Sequence, residues 1–430
     1  MLRPLHRKMV VTLSELSRAM TYVIIIFPFF FGLLLNALHL PGVLKFAVDA
    51  AWISILIFMA PRGKLQIRRS IFLQMMLALI FVIYTLVVYL FRYQSVFYYI
   101  WGMRNYLRFY IAFYAVATYF TEADAKKCLK FMDRLFWINA AICLVQFMAG
   151  NEQDNIGGIF GTNVGCNAYV IVYQTVVITY SVLEYMNGKE PTARCFGKCA
   201  GALAVAAIAE LKVFYLILVI IMVLAALLTS FSMRKVVFLL IGFFLVSAAA
   251  TLLGMVYSYF EGFLSLESLL AYATQKGYAS DIDMGRTNAI PFISERFLTT
   301  VPAQLFGMGL GNCDTSTIGV FNTAFYEQYV DLHYSILSYA FMFLENGYIG
   351  LLIYVSFFTT CFWKSRKILR MKSQDPIFAQ MGVIMSLICL MLIIYNSSLR
   401  TEAGYMVYFV LALPFIRKSQ EGTLTPERVK

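Results

Sequence analysis

The chain has 430 residues, 61% of them hydrophobic and 13% charged, and a mean hydropathy of +0.74. A soluble domain carries about 25% charged residues, so this composition excludes a water-soluble globular protein and predicts a polytopic membrane protein. The formal net charge of +12 sits in short basic segments between apolar runs, with no Arg-rich arm or nucleic-acid motif, which argues against a nucleic-acid partner.

Crossing a bilayer takes about 20 apolar residues per helix. In chain order such stretches fall near residues 19 to 37, 42 to 60, 70 to 91, 103 to 120, 131 to 149 and 165 to 186. They continue near 199 to 211, 213 to 229, 236 to 256, 346 to 363, 378 to 396 and 403 to 416, so that twelve spans are predicted. No small-residue cleavage site follows the first run, which predicts that it is retained.

Lys and Arg flanking a span are held on the cytoplasmic side. With the N-terminus inside, that side receives Arg3, Arg7, Lys8 and Arg18, then Arg62, Lys64, Arg68 and Arg69, then Lys126, Lys127, Lys130 and Arg134. It further receives Lys189, Arg194, Lys198, Arg234 and Lys235, then Lys364, Arg366, Lys367, Arg370 and Lys372, and finally Arg417, Lys418, Arg428 and Lys430. That is 26 of the 35 basic residues, leaving 9 outside. Both termini are therefore expected in the cytoplasm.

The whole chain reads as one transmembrane domain, 1–430, all helical because a backbone in lipid must satisfy its own hydrogen bonds. Between the seventh and eighth spans, Glu210-Leu211-Lys212 interrupts a long apolar run, and two short spans meeting at the outer side place Lys212 at their break. An outer loop at 257–345, between the ninth and tenth spans, carries most of the polar sequence. It opens with an amphipathic stretch at Glu261 and Glu267 and a polar segment from Lys276 to Asp283. A helix is expected from Arg286 to Leu298, ended at Thr299-Thr300-Val301-Pro302. A glycine-rich turn at Gly307, Gly309 and Gly311 follows, then a helix from Glu327 to Leu344 carrying His333, with a bend at Gly347 and Gly350.

Outward-facing cations are scarce, and at membrane depth such groups commonly mark a substrate path. Arg104 and Arg108 lie one helical turn apart, Lys212 stands at a helix break, Arg286 opens a loop helix, and Arg400 lies in a short outer turn. Together they suit a phosphate or diphosphate, Arg as a bidentate fork and Lys as a point charge. Snorkelling to lipid headgroups explains any single one equally well. His333 has the intrinsic pKa for proton transfer, although a helical histidine is more often structural. Backbone amides of the Gly307 to Gly311 run suit a phosphate cradle, but a tight turn explains the glycines as well. Aromatic residues at Tyr93, Phe97, Tyr98, Tyr99 and Trp101, and at Tyr326, Tyr329 and Tyr334, suit sugar rings or an interfacial belt. One histidine and scattered carboxylates such as Asp281 and Asp283 do not make a metal site, and no cofactor is implied. The eight cysteines show no C-x-x-C spacing and read as apolar fillers; only Cys166 and Cys313 fall near the outer face, where a disulfide is open to them.

The order Gly285-Arg286, then Phe306-Gly307-Met308-Gly309-Leu310-Gly311, then His333 shortly before Tyr339, then Leu344-Glu345-Asn346-Gly347-Tyr348-Ile349-Gly350 entering a span resembles the signature region of the O-antigen ligase and O-antigen polymerase superfamily of bacterial envelope glycosyltransferases. The resemblance implies a glycosyltransferase-C-like helical fold in the bacterial inner membrane with its active site facing outward. It also implies metal-independent, inverting transfer of a glycan from an undecaprenyl-diphosphate carrier to an acceptor hydroxyl. In that reading Arg286, Lys212 and Arg400 hold the diphosphate, with Arg104, Arg108, Tyr334 and Gly309 as further substrate contacts, and His333 serves the acceptor or acts as base. Membrane lipids, a chain-length regulator and a flippase are the implied partners. Two departures, Lys212 where ligases often carry Ser-Arg-Gly and Tyr334 where they often carry asparagine, favour polymerase over ligase. A transporter or flippase of lipid-linked oligosaccharide is the reading from another class, although carriers usually place their polar residues at the midplane of paired halves. A non-catalytic scaffold is a third, and it predicts that the outer cations are dispensable.

Overall fold

The computed structural model describes residues 12–60, 67–92, 94–163, 165–230, 232–256, 267, 284–316, 318–371 and 375–417. The polar segment from Lys276 to Asp283, the Glu261 part of the amphipathic stretch, Tyr93 and the outermost basic residues at either end lie outside that set, as do Arg62, Lys64 and Lys372. Among the described residues the chain is all helical, with no strand and a single isolated bridge between Thr121 and Arg417.

The helices are α1 Leu13–Ile26, α2 Phe46–Phe58, α3 Phe72–Arg92, α4 Val96–Tyr119, α5 Glu122–Met148, α6 Asn167–Met186, α7 Thr192–Ile208, α8 Lys212–Leu228 and α9 Met233–Val256. After these come the short α10 Ala289–Arg296, α11 Val301–Phe306 and α12 Ala324–Tyr329, then α13 Ser338–Met371, α14 Pro376–Tyr395 and α15 Gly404–Ala412. A helix therefore overlies each of the twelve apolar stretches. Among the described residues four segments are long and apolar enough to cross a membrane, Leu13–Phe30, Arg69–Arg92, Ser338–Met371 and Pro376–Tyr395, with shorter apolar helices at Lys212–Leu228, Lys235–Thr251 and Gly404–Phe415. Side chains such as Ile83, Leu86 and Leu90 of α3 and Leu240 and Phe244 of α9 point out of the bundle, which is the surface a lipid-facing helix presents.

The core is α4, α13, α14 and α15, where Tyr110, Phe357 and Tyr408 form a closed aromatic set with ring centroids 5.0, 5.4 and 5.9 Å apart. Five of the basic residues expected to share one side lie at one end of this bundle. Arg18 pairs with Asp124, Lys126 and Lys189 lie 3.0 and 3.6 Å from Asp375, Arg68 donates to the Phe415 carbonyl at 2.9 Å, and Lys364 donates to the Ser70 carbonyl at 3.1 Å.

At the opposite end α13 kinks at Gly347, whose φ of 62° and ψ of −168° break the helix. A kink orphans carbonyls of the preceding turn. Here the glycine-rich turn answers them: Met308 N–H donates to the Leu344 carbonyl at 2.9 Å and Gly309 N–H to the Glu345 carbonyl at 2.8 Å. The two backbones touch reciprocally, since a Cβ on Gly307 would overlap the Glu345 carbonyl and one on Gly347 would overlap the Leu305 carbonyl. Gly347→Ala should therefore lose about 1–3 kcal/mol from its positive φ alone, and more from the overlap. Thermal unfolding of the detergent-solubilised variant, beside a Gly42→Ala control whose Cβ meets nothing, measures the loss.

Candidate functional site

A cavity of about 890 Å³ opens at this same end, and the helices around it deliver charged groups from four distant parts of the chain. Lys212 arrives because α7 stops at Ile208 and the chain turns through Glu210, held at a φ of 54°, before α8 begins with Lys212 itself. Its ammonium lies 3.3 Å from the Glu210 carboxylate. Arg286 sits in a turn ahead of α10, closed by the Gly285 N–H donating to Asn288 Oδ1 at 2.7 Å. Its guanidinium lies over the Tyr395 ring, 4.9 Å from the centroid, and its carbonyl accepts the Tyr339 hydroxyl at 2.5 Å.

His333 is not in a helix. The expected helix from Glu327 to Leu344 is broken into α12, two 3-10 turns at Val330–Leu332 and Tyr334–Ile336, and the start of α13, with His333 between the turns at a left-handed φ of 55°. A non-glycine residue persists there only where its surroundings over-determine it. Both flanks are tied: the Leu332 carbonyl accepts Met284 N–H at 3.2 Å, Tyr334 donates its hydroxyl to the Cys313 carbonyl at 2.6 Å, and Arg400 Nη1 donates to the Ser335 carbonyl at 3.2 Å.

Lys212, Arg286 and His333 thus line one cavity. Lys45, delivered by the 3-10 turn Gly42–Lys45, lines it as well, and among the described residues the acidic groups on its wall are Asp154 and Glu210. Pro28, Phe31 and Leu35, from the irregular end of the first span, give it an apolar flank. Cationic, amide-bearing and apolar walls in one space suit an amphiphilic anion.

The remaining expected site residues lie outside this lining. Arg104 is held by Asp49 at 2.7 Å and stacked on Trp101 at 4.5 Å, while Arg108 is taken by Glu402 at 3.7 Å and the Arg400 carbonyl at 2.9 Å, so one helical turn does not give them a common ligand. Arg400 pairs with Asp314 at 3.7 Å and lies on the Phe341 ring; it braces the cavity through Ser335 without lining it. Tyr334 is fully buried, with its hydroxyl committed and burial pushing its pKa far up, which removes it as a substrate contact. Gly309 spends its amide on α13 and a Cβ there would overlap Gln94 Oε1, so the turn is a packing device for the kink and not a phosphate cradle. The helix expected from Arg286 starts only at Ala289. Cys166 and Cys313 are buried free thiols, and among the described residues no group of three metal-ligating side chains occurs.

Lys45 escaped the sequence reading, though the charge topology that placed nine basic residues outside already included it. The carboxylate partners Asp49, Asp314 and Glu402 gave no signal, because a lone acid near a span end has no periodicity to announce it. No family model, curated protein or solved structure matches the chain.

Proposed function

We propose that the chain is a glycosyltransferase that polymerises undecaprenyl-diphosphate-linked repeat units at the outer face of a bacterial cytoplasmic membrane, with twelve spans and both termini inside. The observation that carries this reading is the convergence of Lys45, Lys212, Arg286 and His333 on one cavity with an apolar flank. In the reaction the acceptor hydroxyl attacks the anomeric carbon as the bond from that carbon to the diphosphate oxygen breaks. The diphosphate leaves with the electron pair, and His333 takes the hydroxyl proton. Preorganised cations stabilise the negative charge as it develops, and in a water-poor cavity that term is usually the largest one in catalysis. Arg286 supplies a fork for two phosphate oxygens; Lys212 and Lys45 supply point charges.

The test is polymer formation from a synthetic undecaprenyl-diphosphate repeat unit by the purified protein in liposomes with EDTA present, beside His333→Ala. A glycan ladder that the variant does not make is the expected result. Unchanged monomer with folded protein removes the polymerase reading and turns the same assay to other acceptors, as ligase chemistry requires. A wild-type ladder from His333→Ala removes the assignment of the base.

A further inference from the structure

The cationic groups account for only part of the cavity wall. One stretch of the wall carries Asn36, Asp154, Asn163 and Asn167, three neutral amides and a carboxylate with no cation among them. We propose that these four form a saccharide subsite that binds the sugar joined to the diphosphate; this rests on the reading of the cavity as a lipid-linked glycan site.

The local backbone is built to hold them. Residues Gly32–Ala37 form a π-helical turn, a rare conformation that recurs at functional sites and that places Asn36 on the cavity. Two glycines let this turn nest against the segment before α6. A Cβ on Gly32 would overlap the backbone of Ile159 and Phe160, and one on Gly161, whose φ is 104°, would overlap Asn36 Oδ1. The facing loop is fixed in turn from α5, where Gln146 Oε1 accepts Gly158 N–H at 2.7 Å and Asn139 Oδ1 accepts Ile159 N–H at 3.0 Å. Across this contact Asn36 Nδ2 donates to Asn163 Oδ1 at 2.9 Å, and beside it Asn167 Nδ2 donates to Asp154 Oδ1 at 2.7 Å.

Each pair uses one donor and one acceptor, and the rest of the hydrogen-bonding capacity of the three amides and the carboxylate serves a ligand. Such a set offers donors and acceptors together, which is what hydroxyl groups need, because each hydroxyl both gives and takes a hydrogen bond. The chemistry also excludes the alternatives within the same cavity. The Asp154 carboxylate repels phosphate, and a single carboxylate among neutral amides is a poor cation site. The diphosphate then belongs at Lys212 and Arg286, and the hydroxyl-rich ring at Asn36, Asp154, Asn163 and Asn167.

The full chain in lipid nanodiscs, titrated with undecaprenyl diphosphate and with a panel of undecaprenyl diphosphates carrying one hexose or one N-acetylhexosamine, tests the inference. Wild type is expected to bind at least one glycosylated lipid about tenfold more tightly than the bare lipid. Asn163→Ala lies on an exposed loop position and Asn167→Ala near the start of α6; each should cut that preference by about three- to tenfold and leave bare-lipid affinity unchanged. Equal wild-type affinity for bare and glycosylated lipid overturns the subsite while leaving the diphosphate reading intact. So does a preference that both variants retain, or an equal loss on both lipids. Folded wild type that binds neither kind of lipid overturns the diphosphate reading and the subsite with it.

Discussion

Arg286→Ala is expected to lower turnover of the proposed transferase at saturating lipid-linked donor by about 10²-fold or more, the size expected when one preorganised group facing developing negative charge is removed. Its place in the cavity lining sets it apart from the arginines at positions 104, 108 and 400. Arg104, Arg108 and Arg400 lie outside that lining, each within 4 Å of a carboxylate. Arg286 lies on the face of Tyr395 and lines the cavity, which puts its fork where the diphosphate is proposed to sit. Arg286→Lys should recover part of the loss, since it keeps the charge and loses the bidentate fork. Lys212→Ala should cost less, because an ammonium offers a point charge where the guanidinium offers a fork for two oxygens. Steady-state kinetics in liposomes separate these cases, and wild-type turnover from Arg286→Ala would remove the residue from the reaction.

The sequence announced what has a period or a sidedness. Apolar runs of span length became helices, and the basic residues Arg18, Arg68, Lys126, Lys189 and Lys364 were gathered at one end because short basic segments follow alternate spans. The break at Lys212 was legible because two charges in the middle of an apolar run are costly there. What stayed hidden was the fate of each polar group once neighbours surround it. Arg104 and Arg108 share a helix face, yet Asp49 from α2 and Glu402 from the turn before α15 claim them separately, and only the three-dimensional packing brings those acids near. The Gly307 to Gly311 run looks the same in sequence whether its amides meet a phosphate or a kinked helix, and here they meet Leu344 and Glu345. His333 falls in a segment with good helical composition that is nevertheless broken, because ties to Met284, Cys313 and Arg400 hold its flanks.

The buried pair of Arg108 and Glu402 carries the largest expected effect on stability. Arg108 has 5% of its side chain exposed and Glu402 17%, and the carboxylate also accepts the Tyr169 hydroxyl. Burial alone would raise the Glu402 pKa, but the Arg108 guanidinium, Lys45 and that hydroxyl outweigh it and hold the group at about 2, against an ordinary value of 4.5. Removing Arg108 leaves the Glu402 charge buried without its main countercharge, so Arg108→Met should cost about 3–5 kcal/mol. Adding Glu402→Gln to that variant should recover much of the loss, because the amide retains a hydrogen-bonding partner for Tyr169 without an unpaired charge. The pH dependence has a definite sign. A carboxyl whose folded pKa is depressed contributes stability that is fully present above about 4.5 and is lost as the pH falls through about 2. Wild type should therefore lose more of its thermal stability between pH 6 and pH 3 than Glu402→Gln does, when both are followed by unfolding in detergent. Equal acid sensitivity of the two proteins would mean that Glu402 is not held ionised by Arg108. An Arg108→Met variant as stable as wild type would mean that the pair is solvated and contributes little.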